Sequence, residues 1–555
     1  MGARRAETPG SALLSSTIPE ISKGHLATRM PSIGVWLAML CLGVGGYAVY
    51  FVDARGQDQN WDLLNYHYYS GYAFLNGGLS RDVAAAGIQT YLHPAVNAVS
   101  YLALRYLAFP FSAWLILSVQ LLSLPLLAMV VLESKKGLGP AGYGFSALLA
   151  LALTLLAPLW WGELGTTFFS SSTTPLVLLS VLMCMRQLRN QDAVRPMWWL
   201  LIAGIPIGIA SGLKLTNAPY AVALAAALIL ASLNVNLRKT IGRTLALSAG
   251  MTAGFALTAG WYVSVYKAWK NPLFPFYNGI FRSPYFEYSN FRDERWRFHS
   301  LAEFFRFLGD AVRGTYKTSE ISFADPRLIV VVAIVPLGFL AFRRMRSAPG
   351  NLMFGAFVFL GGVIWAFSFA YQRYLIPIEL LLGIFVWIIM ATLLNSAKVV
   401  SFCMALLLLG CLYLTRVPDW NHGKDISAVP NAFDLKIDQQ IASTPATYLV
   451  VGEPLSFVFP FLHPASVFYK LNVSSPINSL VAQKLQLPQA TRLPLRVIFR
   501  DAEKVAAALA IKVVGLPAFG GDYVCTEVRG RIESYSICEY KGAFIPMTVN
   551  EPVRQ

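Results

Sequence analysis

Three carboxylates, Asp53, Asp58 and Asp62, fall within ten positions of one another, directly after the first long apolar stretch of the chain. An acid held at the edge of a lipid phase is costly and needs a reason. A carboxylate can take a proton from a hydroxyl as a general base, or it can serve a helix start, where exposed N–H groups favour negative charge. Asp62 suits both roles, with Asp58 in reserve for the first. From Trp61 onward Trp61, Leu64, Tyr68 and Tyr72 recur at helical spacing, which predicts an amphipathic helix lying on the membrane with its rings at headgroup level. Glu163, in Trp160-Trp161-Gly162-Glu163-Leu164-Gly165, is a second acid that either acts with Asp62 or is solvated in a loop. Lys214 and Arg373 end later apolar stretches, where a long cation either holds an anionic group or snorkels to the interface. His67 and His93 show no partner spacing for a metal, so the reading carries no metal and no cofactor.

The elements that position these residues are helices in lipid. Of 555 residues 56% are hydrophobic and 13% charged, against about 25% charged in a soluble domain. The mean hydropathy is +0.53. Only helices and closed barrels satisfy their backbone in a bilayer, and stretches of about 20 apolar residues span it as helices. The net charge of +16 excludes nothing by itself. Its distribution argues against nucleic acid, because the basic residues cluster in short loops between apolar stretches.

The positive-inside rule then sets an expected topology. With residues 1–33 and their Arg4, Arg5, Lys23 and Arg29 in the cytoplasm, the clusters Lys135/Lys136, Arg186/Arg189/Arg195, Arg238/Lys239/Arg243, Arg343/Arg344/Arg346 and Lys398 all lie inside, provided that 88–108 does not cross. That gives about eleven spans, near 34–52, 111–132, 141–158, 166–186, 197–213, 217–233, 244–266, 327–343, 353–370, 375–394 and 398–415. The first span reads as a retained anchor. Outside lie the loops 53–110 and 267–326 and a tail, 416–555, that reads as a small α/β domain with strands at 447–451 and 496–499. The long loop carries nine basic and seven acidic residues, and its Ser319-Glu320-Ile321-Ser322-Phe323 is placed to cover a site. Cys525 and Cys538 flank a turn and suit a disulfide, with two free thiols as the alternative. Cys41, Cys184, Cys403 and Cys411 read as small apolar residues in spans, and Trp160 and Trp161 as interface anchors.

One resemblance gathers these residues. From Asp62 the order is Tyr66 four residues on, then Ala73, then Gly77 fifteen on, just after the first span. This resembles the first outer loop of the GT-C glycosyltransferase superfamily, which includes protein mannosyltransferases and the aminoarabinose transferases of lipid A. Those two families have Glu after the acid; Leu63 here is closer to mannosyltransferases that use polyprenyl-phosphate mannose. Gly212-Leu213-Lys214-Leu215-Thr216-Asn217, Asn271-Pro272-Leu273-Phe274-Pro275-Phe276-Tyr277, Ser283-Pro284-Tyr285-Phe286 and Gln372-Arg373-Tyr374-Leu375-Ile376-Pro377 are similar to further segments of bacterial members. The resemblance implies an all-α membrane domain over 34–415, with surface helices in the first outer loop.

It also implies a reaction. A sugar, mannose or a pentose such as arabinose, passes with inversion from a polyprenyl-phosphate donor to an acceptor hydroxyl on a glycan, glycolipid or protein, at the outer face of a bacterial inner membrane. Asp62 is the implied base. Lys214 and Arg373 hold the phosphate, which leaves as an anion and needs positive charge rather than a proton. Trp61, Tyr66 and Tyr374 are candidate substrate contacts, and His67 and His93 either contact the sugar or serve the interface. Two other classes stay open: a lipid-linked glycan flippase or transporter, expected to carry mid-bilayer charges and internal symmetry, and a glycan polymerase or ligase, expected to rely on arginines of a large outer loop.

Overall fold

The structure is a computed structural model that describes residues 32–138, 142–189, 196–233, 236–290, 293–394, 396–424, 432–472, 477–487 and 492–542. Arg4, Arg5, Lys23, Arg29 and Arg195 lie outside the described residues.

All eleven expected spans are helical, but they are not alike. Among the described residues seven helices are long and apolar enough to cross a bilayer: Ile33–Arg55, Phe111–Gly137, Phe169–Arg189, Leu215–Ser232, Arg327–Met345, Pro349–Ser368 and Ala397–Leu414. Gln372–Glu379 with Leu382–Leu393 would make an eighth, bent by 45°. Gly144–Thr154 and Trp198–Leu213 are apolar but shorter. The span expected at 244–266 starts instead at Leu237, among basic residues, and breaks between Leu237–Ala256 and Ala259–Trp269. The stretch 88–108 contains helix Ala95–Tyr106, whose 12 residues reach only about 18 Å at 1.5 Å per residue, short of the ~30 Å hydrocarbon core.

Two helices touch backbone to backbone because of glycine. Gly204 and Gly208 of Trp198–Leu213 face Gly250 and Gly254 of Leu237–Ala256, and a Cβ on any of the four would fall 1.9 to 2.2 Å from a carbonyl oxygen across the interface. Small residues four apart are the usual device for close packing in lipid. Gly212 continues the seam against Thr258, which fixes where the next turn delivers Lys214.

Helix direction places the described basic clusters at the end of the bundle away from Asp62. There Glu133 pairs with Arg189 at 2.6 Å and Lys136 at 3.7 Å.

The strands lie at the Asp62 end. β1 (Gln57–Asp58) and β2 (Ala85–Ile88) belong to the first loop, and β3 (His422–Gly423) follows the last span and pairs with β1. β4 (Thr447–Val451), β5 (Val467–Lys470), β6 (Leu495–Arg500), β7 (Tyr523–Arg529) and β8 (Ser534–Tyr540) form one sheet in the order β5-β4-β6-β8-β7. β5, β4 and β6 are parallel, and β8 is antiparallel to β6 and β7. β4 is buried throughout, because both faces of the sheet are covered. Leu449, Val451, Val497 and Phe499 pack toward Ile477–Leu485 and Lys504–Lys512. Tyr448, Val450 and Ile498 pack toward the first loop, as the alternation of side chains along a strand requires. Cys525 and Cys538 are directly opposed on β7 and β8 and joined by a disulfide.

That second face corrects the expectation for the first-loop helix. Leu64, Tyr68 and Tyr72 are buried, and the Tyr68 ring meets Tyr101, Phe433 and Phe461. The apolar stripe is covered by the sheet and its loops rather than by lipid headgroups. Trp160 is also fully buried, so it is no interface anchor; Trp161 packs on Tyr47 and Phe51. Of the unpaired thiols Cys184 and Cys411 are buried, and Cys41 and Cys403 half-buried.

Candidate active site

Asp62 opens a π-type turn, Leu63–His67, that precedes helix Tyr68–Leu75. Such turns recur where a side chain is re-aimed for function. The carboxylate makes no capping bond, so serving the helix start is not its work. Its Oδ2 accepts instead from Arg373 Nη1 at 3.1 Å and from the Tyr66 hydroxyl at 3.3 Å. Its Oδ1 accepts no hydrogen bond among the described residues, and 15% of the side chain remains accessible.

Arg373 comes from the first turn of the bent helix pair. Its Nε donates to Tyr371 Oη at 2.6 Å, and Nη2 lies 3.7 Å from Glu320 Oε1. Tyr371 in turn donates to Glu320. The guanidinium lies 4.0 Å from the Phe168 ring centre and 5.8 Å from that of Trp420. Lys214 leaves its helix in extended backbone. Its Nζ donates to Ser170 Oγ at 2.7 Å and lies 5.0 Å from the Tyr374 ring centre. Among the described residues no carboxylate pairs with it, which leaves Lys214 the less committed of the two cations.

Burial alone would push the Asp62 carboxyl up, but the Arg373 and Lys214 charges and the Arg373 hydrogen bond together hold it below its ordinary value. His67 is pushed down to about 3 by burial and by the same cations, so it is neutral at pH 7. Burial pushes Lys214 down to about 8; Glu163 and Asp62 oppose the fall, while Arg373 adds to it. Burial raises the Glu163 carboxyl against the pull of Lys214 and Arg373.

The remaining sequence-predicted residues divide. Glu163 is fully buried, not solvated; its Oε2 accepts from Ser171 N and Oγ at 2.8 and 2.7 Å, and its Oε1 has no partner among the described residues. Asp58 is spoken for: it accepts from Asn60 N and Nδ2 and from Thr167 N and Oγ1, so it ties the first loop to the Thr167 turn and has no oxygen to spare as a base. His67 Nδ1 lies 2.9 Å from Thr167 Oγ1, behind Tyr66. His93 Nε2 donates to Thr258 O, and its ring lies against Trp261 and Tyr262. Trp61 is exposed. Tyr66 and Tyr374 line the cluster through Asp62 and Lys214. Glu320 reaches Arg373 and Tyr371 from the end of the long loop, and Thr318 beside it is hydrogen-bonded to Gln372.

Sequence reasoning missed Tyr371, Phe168, Ser170 and Trp420. Tyr371 was within reach, two residues before Arg373; Trp420 was assigned to the outward domain. Among the described residues no three His, Cys, Asp or Glu side chains gather at metal-ligand spacing.

No protein-family model matches the chain. No curated protein matches it in sequence. Solved structures do: ArnT from Cupriavidus metallidurans bound to undecaprenyl phosphate aligns at TM-score 0.50 and 15% identity over 91% of this chain and 98% of that one. The apo state of ArnT aligns at 0.49 and 14% over the same shares. The chain shares the fold of ArnT. Within this fold the cluster draws on stretches far apart in sequence: Asp62 from the first loop, Glu163 to Lys214 from the middle, Glu320 from the end of the long loop, and Tyr371 to Tyr374 from the start of the bent helix pair, two spans later.

Proposed function

We propose that the protein is an inverting glycosyltransferase that moves a sugar from a polyprenyl-phosphate carrier to an acceptor hydroxyl at the Asp62 end of the bundle, the outer face of a bacterial inner membrane. The observation that carries the reading is a mostly buried carboxylate with one oxygen fixed by Arg373 and Tyr66 and the other unbound among the described residues, near a lysine that forms no ion pair among them. ArnT was crystallised with undecaprenyl phosphate, and the shared fold makes a polyprenyl phosphate the carrier of choice. The basic clusters at the opposite end agree with an outward site.

The chemistry follows from the charges. Lys214 and Arg373 meet the donor phosphate, which departs with the bonding pair of the anomeric C–O bond and needs no proton. The arriving phosphate shares the cations that hold the Asp62 carboxyl low, so the carboxylate becomes a stronger base once the donor is seated. Oδ1 then takes the acceptor proton as the acceptor oxygen attacks the anomeric carbon from the face opposite the phosphate. A single displacement inverts that centre. Tyr66 and the Tyr374 ring border the sugar.

The test is to incubate the purified chain with a panel of polyprenyl-phosphate hexoses and pentoses and to follow free polyprenyl phosphate. Consumption of one donor is expected. If every donor is left intact with acceptor glycans, glycolipids and proteins supplied, the proposal fails.

A further inference from the structure

Residues 416–423 were read as the start of the outward domain, yet they run back along the mouth of the site as a strap. Arg416 N and O exchange hydrogen bonds with Ala324 O and N at 3.0 and 3.2 Å. Arg55 Nη2 donates to Pro418 O at 2.8 Å and pairs with Asp419 at 3.1 Å. Gln59 N donates to Asn421 O at 3.0 Å, and β3 then pairs with β1. Two glycines outside the strap make room for it. A Cβ on Gly162 would fall 2.7 Å from Trp420 Cζ3 and 3.0 Å from Pro418 Cγ; one on Gly56, which holds φ +90°, would fall 2.2 Å from Gly423 O.

The pinned strap has one large side chain facing the cluster. Trp420 is 7% exposed, its ring stands 5.4 Å from Phe168, and it lies within cation–π reach of Arg373. Phe168, Tyr371 and Trp420 thus surround the guanidinium whose Nη1 holds Asp62. A planar fork is useful only if its plane is fixed. The hydrogen bond from Arg373 to Asp62 depends on that plane.

We propose that Trp420 is a positioning residue for the transfer: by closing the aromatic box on Arg373, it sets the orientation in which the arginine presents one edge to Asp62 and leaves the rest for the donor phosphate. The proposal rests on the glycosyltransfer reading and adds that the segment after the last span is part of the site. Because Arg373 steadies the ionised form of Asp62, loosening it lets the carboxyl rise, and the acid side of the pH profile moves to higher pH.

The experiment compares full-length wild type, Trp420→Ala, Trp420→Phe and Gly162→Ala in detergent. It measures kcat and KM for the consumed donor against pH, thermal melting, and binding of sugar-free polyprenyl phosphate by native mass spectrometry. Trp420→Ala is expected to lower kcat/KM about tenfold or more, to move the acid limb upward and, because a buried ring is lost, to melt below wild type, while Trp420→Phe restores both rate and limb. Gly162→Ala, which displaces the ring without removing it, is expected to shift the limb in the same direction. Trp420→Ala with wild-type rate and profile overturns the inference alone, as does Trp420→Phe behaving like Trp420→Ala. A wild-type chain that neither consumes nor binds any polyprenyl phosphate overturns the glycosyltransfer reading and the inference together. Should Trp420→Ala fail to fold, the Phe and Gly162 variants decide.

Discussion

Two arginines at the same end of the bundle, Arg327 and Arg373, each stand between two carboxylates, and they differ in what is left over. Arg327 is bidentate to Asp325 at 2.8 and 2.7 Å, reaches Glu379 at 3.2 Å, and donates to the carbonyls of Leu153 and Thr154. Glu379 also accepts from Leu159 N and Trp160 N. Exposure of the three side chains is 2% or less. Arg373 keeps 10% exposure, Asp62 15% and Glu320 43%. The first cluster closes on itself and ties the bent helix pair to the start of Arg327–Met345 and to Pro158–Glu163. The second is open where a substrate would stand. Similar ions at the same end of the bundle therefore serve different purposes, and the unsatisfied remainder tells them apart.

The largest break in this comparison comes from Arg327→Ala, which strands Asp325 and Glu379 as unpaired buried acids and costs about 3–5 kcal/mol. It should appear as lost monodisperse yield or a steep fall in melting temperature. Arg373→Ala should melt near wild type but lose transfer by about a hundredfold or more. If the two variants exchange behaviour, the assignment of structural and functional clusters is reversed.

Smaller effects sharpen the functional side. Lys214 must be charged to meet phosphate, and its folded pKa is depressed to about 8 by burial. It is cationic below that value and neutral above it, so kcat/KM should decline as pH rises through about 8. Lys214→Arg should carry the falling limb to higher pH, and an unmoved limb assigns it to another group. Glu163→Gln removes a negative charge that favours the protonated lysine, so the same limb should move to lower pH with little change at pH 6. The smallest effect on transfer is expected from Cys525→Ser with Cys538→Ser. The hairpin of the outward sheet should lose about 2–4 kcal/mol in denaturation while transfer stays within about twofold.

Much of this site was legible because lipid makes charge conspicuous. Asp62, Lys214 and Arg373 stood out as isolated ions at the ends of apolar stretches, and the structure brings them together. The helical segments, the strands expected at 447–451 and 496–499, the second of which runs Leu495–Arg500, and the Cys525–Cys538 pair were readable from period and spacing. Asp58, the reserve base, is saturated by hydrogen bonds, and its partner Thr167 lies more than a hundred residues away, where no local pattern announces it. The stripe of Leu64, Tyr68 and Tyr72 has the period of a membrane-surface helix, and period alone does not say whether lipid or a sheet will cover it. The glycine seam of 204, 208, 250 and 254 was in plain view as small residues four apart and went unread. Trp420 was hidden by the assumption that a chain leaving its last span leaves the site as well.

The central claim is that Asp62 takes the acceptor proton while the cations hold the phosphate. It is tested most directly by single-turnover transfer from the preferred polyprenyl-phosphate sugar with wild type and Asp62→Asn, each with donor binding measured in parallel. The amide variant is expected to bind the donor at least as well as wild type and to transfer it about a hundredfold to ten-thousandfold more slowly. Transfer by Asp62→Asn at the wild-type rate would contradict it.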